Sequence, residues 1–276
     1  MRNGYLRIFC FGLIVPLACF CALADTAEKA AKSPAPGKHP LDPALDMARD
    51  GLKKMQANVT DYTATLVKRE RIGGELGDFQ YIQIKLRHQR KEEGRVTTPF
   101  SVYLKFLAPD SVAGREVIWV EGANDGKLIA HEAGIKGFLR VKLDPTGFIA
   151  MAGNRYPINQ IGMLNLIEQL IVKGERDRHS GDCEVQFFQN AKVDGRVCTA
   201  IQVTHPKQQP QFDFYRAQIF IDKQLNVPIR YAAWTWPTAN SDSPVLEEEY
   251  TYRDLKLNVG LTDQDFNPDN KAYKFP

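Results

Sequence analysis

FSVYLKFLAPDSVAGREVIWVEGANDGKLIAHEAGIKGFLRVKL, residues 100–143, decides the fold class. Glycine-marked breaks at residues 112–114, 124–126 and 134–137 divide it into four short runs rich in Val, Ile, Leu, Phe and Trp, the pattern of strands joined by tight turns. Val117, Ile118, Trp119 and Val120 are consecutive and apolar, whereas a strand with one face in water would alternate. The second face of that strand therefore needs a cover, whether helix, partner or bound lipid.

Upstream, residues 41–57 read as a helix, with Asp42 as N-cap, Pro43 at N1, and Leu45, Ala48, Leu52 and Met55 on one stripe. Residues 62–72 read as a strand ending at Gly73-Gly74. In a second strand, residues 79–90, Ile82, Ile84 and Leu86 alternate with Gln83, Lys85 and Arg87, which predicts a half-buried pair with its polar side outward. Downstream, residues 144–157 form an irregular segment carrying Phe148, Ile149 and Met151, either a flap or ordinary loop packing. Residues 157–173 predict a second helix on which Met163, Leu164, Leu166, Ile167, Leu170 and Ile171 cover more than the ~100° stripe of a surface helix. Such a helix can touch two apolar surfaces, as a core element or as the wall of a cavity. Strands then recur at residues 184–193, 196–205, 212–222, 227–236 and 246–257. Turns at Asp194-Gly195 and at residues 222–226 make them an antiparallel meander, and DQDFNP turns Phe266 back against the sheet. The class is α+β.

The first 24 residues read as an export signal: Arg2 and Arg7, an apolar run, and Ala22-Leu23-Ala24 ahead of a cleavage site after Ala24. Residues 25–40, rich in Ala, Lys and Pro, read as a disordered spacer, and residues 41–276 as one domain. The leader holds two of the 36 basic residues and none of the 33 acidic ones, so the mature net charge is +1, which gives no electrostatic case for nucleic acid.

Cys183 and Cys198 remain after the leader. An even pair in an oxidising compartment reads as a disulfide. With Asp194-Gly195 as the hairpin turn, however, Cys198 faces position 191, and the sulfurs lie about eight residues apart along the ladder. That is roughly 26 Å, against a Cα limit of about 7 Å. The bridge stays open. His39, His88, His131, His179 and His205 show no zinc-ligand spacing, and no nucleophile elbow, phosphate loop or dinucleotide fingerprint occurs. No catalytic residue, metal or cofactor is assigned. Glu247-Glu248-Glu249 reads as solvated surface or edge protection. Lys85, Arg87, His88, Arg90 and Lys91 form a basic patch, suited to solubility or to an anionic headgroup or acidic partner.

An ordered set of features carries a resemblance. MQANVTDYTATL (residues 55–66) leads helix into strand, and FLAPD (106–110) is followed by Gly114-Arg115. VDGR (193–196) precedes Cys198, and Ile221-Asp222 and Pro228 precede Tyr250, Leu255, Asn258, Leu261 and FNP (266–268). Together these resemble the periplasmic lipoprotein-carrier and lipoprotein-sorting superfamily typified by LolA and LolB, through a related exported bacterial family of unknown function. The resemblance implies a strongly curved antiparallel sheet, an incomplete barrel of about ten or eleven strands, with an N-terminal helix and a helical lid. The lid would be residues 157–173 with the preceding loop. It also implies a periplasmic protein that holds acyl chains of a lipid or lipoprotein, with Phe106, Trp119, Met163, Leu164, Ile167, Leu170 and Ile171 as lining. Arg115 is the positional candidate for a lid latch, or a plain surface strand residue. An inner- or outer-membrane protein partner belongs to this reading. A periplasmic sensor or interaction module of the same fold is the alternative, and an envelope hydrolase a second.

Overall fold

The computed structural model describes residues 28–30, 39–133, 139–181, 183–238 and 242–276. The expected leader, the turn at residues 134–137 and Asp182 lie outside them. Helix α1 (Asp42–Asn58) opens the fold. Asp42 is its first helical residue and not the cap: its Oδ2 accepts from the His39 amide at 3.0 Å. Pro43 sits at the N-terminal turn, where its missing N–H costs no helical bond.

Strand β1 (Glu28–Ala30) falls within the expected spacer and pairs with the edge of a sheet. Then follow β2 (Asp61–Ile72), β3 (Glu75–Leu76), β4 (Gln80–Arg87) and the separate hairpin β5 (Arg90–Glu92) and β6 (Arg95–Thr98). The stretch quoted first gives four strands: β7 (Ser101–Ala108), β8 (Glu116–Val120), β9 (Leu128–His131) and β10 (Val141–Leu143). The next segment is not wholly irregular, since it contains the short helix α2 (Phe148–Met151). The second long helix begins later and ends later than its pattern predicts: a 3-10 turn (Ile158–Gln160) precedes α3 (Met163–Arg178). The meander closes the fold as β11 (Glu184–Val193), β12 (Arg196–Thr204), β13 (Arg216–Asp222), β14 (Pro228–Thr235) and β15 (Val245–Leu257).

All pairings are antiparallel. The path runs β1-β11-β12-β13-β14-β15-β2-β4-β7-β8-β9-β10, and with β3 beside β2 the sheet has 13 strands among the described residues, more than the ten or eleven expected. Last strand and first long strand, β15 and β2, join the two wings. The sheet is strongly curved. Tyr231 of β14 and Val141 of β10 line one hollow although they stand seven places apart, whereas a flat sheet at about 4.8 Å per strand would separate them by roughly 34 Å. Among the described residues the edges, β1 and β10, do not pair, so the barrel they form stays open.

Alternation sets the faces. Ile82, Ile84 and Leu86 of β4 and Val102, Leu104 and Phe106 of β7 are buried on the concave side, with Met163 and Ile167 of α3 in the same core. On β8, Trp119 faces inward and Ile118 outward, where Tyr103 and Phe266 enclose it. The cover for that second face is thus the chain's own closing segment, residues 261–275, with Tyr273 stacked on Tyr103 at 4.2 Å. The same segment corrects the basic patch. Arg87 is buried and bound to Asp263 at 2.7 Å, Lys85 to Asp265 at 2.8 Å, and His88 is buried. Cys198 faces Ala191 as the turn requires and is a buried free thiol, so no bridge joins it to Cys183.

Candidate functional site

Between the concave sheet and the roof formed by residues 145–162 and α3 lies a cavity of about 640 Å³, within the range of small-ligand sites, roughly 300–1,000 Å³. One wing supplies an apolar wall: Leu104, Phe106, Val117, Leu128, Val141 and Leu143. The roof contributes Ala150, Ile158, Ile161, Leu166 and Leu170. Ile149 stands at the rim, and its neighbour Phe148 is 91% exposed.

The other wing is polar. Along β2 the inward positions run Leu66, Lys68, Glu70, and along β15 they run Glu248, Tyr250, Tyr252. Pairing sets Glu70 directly opposite Glu248 and Lys68 opposite Tyr250. Like charges so placed repel, and both glutamates are buried. Compensation is local. Lys68 Nζ lies 3.0 Å from Glu70 Oε2 and donates to Asn154 Oδ1 at 2.7 Å. The Arg155 amide donates to Glu70 Oε2 at 3.2 Å, and the Arg155 guanidinium lies 3.3 Å from Glu248. Tyr156 donates to Glu248 at 3.2 Å, and the Tyr250 hydroxyl lies 2.6 Å from Glu70 and 3.0 Å from Glu248. A phenol has one proton, so Tyr250 donates to one of the two carboxylates at a time. Burial pushes the Glu248 carboxyl above its ordinary range against the pull of Arg155 and the two tyrosines.

The glutamate triplet is therefore no solvated run. Glu247 pairs with Arg155 at 3.1 Å, Glu249 with Arg230 at 2.9 Å, and Glu248 turns inward. Of the residues singled out in the sequence, Phe106, Arg115 and Leu170 line the cavity. Trp119, Met163, Leu164, Ile167 and Ile171 do not. Met163 is fully buried, its amide donating to the Tyr62 hydroxyl at 3.3 Å, and Trp119 packs on Phe100 and donates to the Gly126 carbonyl. Leu164, Ile167 and Ile171 pack into the main core. Arg115 lies 2.9 Å from Glu132, not from a roof residue, with its guanidinium over the Phe106 ring. Sequence reading gave no cavity role to Lys68, Glu70, Tyr156, Glu248 or Tyr250. The available signal was the two-residue period itself, which carries the buried face of Leu66 on to residues 68 and 70.

A second hollow of about 530 Å³ lies on the other side of α3, against α1 and β12–β14, and Leu170 and Lys173 border both. Among the described residues, no group of three or more His, Cys, Asp or Glu is placed to hold a metal. No helix among them is long and apolar enough to cross a membrane.

The chain is similar in fold to several solved structures. A DUF1329 family protein from Desulfovibrio piger shares 13% identity at a TM-score of 0.39, over 83% of this chain and 98% of that one. A putative outer membrane lipoprotein-sorting protein domain from Vibrio parahaemolyticus shares 12% at 0.37, over 81% and 95%. A LolA superfamily protein from Nitrosomonas europaea shares 11% at 0.32, over 80% and 97%. No curated protein sequence matches the chain. Residues 59–275 match the model of the family described as a protein of unknown function, DUF1571, and the chain belongs to that family.

Proposed function

We propose that this is an exported, periplasmic binding protein that holds a hydrophobic ligand, the acyl chains of a lipid or lipoprotein, between its curved sheet and α3, in the service of envelope lipid or lipoprotein transport. One observation carries the reading: an apolar-walled hollow of about 640 Å³ that the protein's own side chains leave unfilled under the roof. Apolar burial supplies about 25 cal/mol per Å², so a long chain lying along β7–β10 gains several kcal/mol without any polar contact. Phe106 and Leu170 would form part of that contact surface, and Arg115, bordering the cavity beside Glu132, would sit at its mouth.

The test is binding of the neutral fluorophore phenylnaphthylamine to the mature protein, with mass spectrometry of lipid co-purifying from the producing cells. Ala130→Trp projects a large side chain into the cavity from β9. It should weaken fluorophore binding at least ten-fold while leaving the unfolding midpoint within a few degrees. Wild-type protein that carries no lipid and binds no fluorophore would overturn the proposal.

A further inference from the structure

The cavity's polar wing is a built subsite, and its composition discriminates between head groups. Each cation at this end is already matched. Lys68 is spent on Glu70 and Asn154, Arg155 on Glu247 and Glu248, and Lys173 on Asp213 at 3.1 Å. The Asn154 amide is oriented by donation from its Nδ2 to the Ala150 carbonyl at 3.1 Å, which leaves Oδ1 facing Lys68. An arriving carboxylate would therefore meet Glu70, its cross-strand neighbour Glu248 and the Asn154 oxygen, with no uncommitted positive charge. Burying an unpaired charge there is costly. An uncharged group that both donates and accepts meets no such penalty. It finds the phenol oxygen of Tyr250 on the sheet side, and that of Tyr156 with the amides of Gln160, Asn165 and Gln169 on the roof side.

From this arrangement we infer that the cavity selects an amphiphile with an uncharged, hydroxyl- or amide-bearing head over an ionised fatty acid, with the head seated against Lys68, Glu70, Tyr156 and Tyr250. The inference rests on the hydrophobic-ligand reading above and adds the class of ligand. Glu70 is the specificity-determining residue. Its carboxylate repels an anionic head and, by holding Lys68, denies that head a partner.

The experiment is displacement of phenylnaphthylamine at pH 7 from the mature protein, using a monoacylglycerol and the fatty acid of the same chain length, each below its micelle concentration. Wild-type protein should release the fluorophore at a monoacylglycerol concentration at least ten-fold lower than that of the fatty acid. Glu70→Gln, which keeps shape and removes the charge, frees Lys68 and should improve fatty-acid displacement at least five-fold, narrowing the ratio. Equal affinities, or a fatty-acid preference, in the wild-type protein overturn the inference without recourse to any variant. So does a folded Glu70→Gln protein, by thermal melt, with an unchanged ratio. Fluorophore binding that neither amphiphile displaces also overturns it and leaves the hydrophobic-cavity reading standing. Failure of the fluorophore to bind at all removes both.

Discussion

His88 lies at the end of β4, 5% exposed, with its ring 5.8 Å from that of Tyr62. Burial, and secondarily the Arg90 charge, lower its pKa to about 4 against the opposing pull of Asp61. The unfolded chain, with a histidine pKa near 6.5, then binds a proton between pH 6.5 and 4 that the folded protein does not. Folding is favoured fully above pH 6.5, and this contribution is lost as pH falls toward 4. Between pH 7 and pH 5 the loss is about 2 kcal/mol. Urea unfolding at the two pH values should show that drop in the wild-type protein and a visibly smaller one in His88→Gln. Equal slopes would rule the histidine out as the cause.

Among elements, α3 decides whether there is a cavity at all, and one glycine decides where α3 begins. Gly162 has φ +104, a backbone conformation that L side chains rarely adopt, and a Cβ there would stand 2.6 Å from Leu86 Cδ1. Its neighbour Met163 is anchored to Tyr62 on β2. Gly162→Ala therefore combines backbone strain with overpacking, and should destabilise the protein by roughly 2–3 kcal/mol. Because Gly162 also lines the cavity, fluorophore affinity should fall with it. Retention of full stability would show that the start of α3 can move. The apolar arc of this helix was legible in the sequence, but which of its residues face a hollow was not. The same kind of side chain serves core packing at Met163 and cavity lining at Leu170. Only the crossing of α3 over the bent sheet separates them.

Over the whole molecule, the sheet is buried on two sides by different means, with helices on the concave face and residues 261–275 across the outside of β7 and β8. Phe266 is 4% exposed and lies beneath the Arg87 guanidinium, 5.1 Å from its ring. Phe266→Ala should cost about 3–5 kcal/mol in chemical unfolding. At a temperature where the variant remains folded it should not alter ligand affinity, since the cavity lies on the opposite face. A loss below 1 kcal/mol would show that the closing segment is dispensable.

Sequence alone was enough for the long strands, their turns and the antiparallel meander, because those follow from local periodicity and from residues such as Gly73-Gly74 and Asp194-Gly195 that set backbone angles within a few positions; the short strands β1, β3, β5 and β6 carry too few residues for a period to show. It also showed that β8 has no face to give to water. It did not determine what covers that face, nor that Glu248 turns inward while Glu247 and Glu249 pair with half-buried arginines. Those depend on register between β15 and β2, which lie some 180 residues apart in the chain. Whether a charge is buried is settled by its cross-strand and overhead neighbours, and the tertiary structure alone brings Glu70, Glu248 and Asn154 to one end of one cavity.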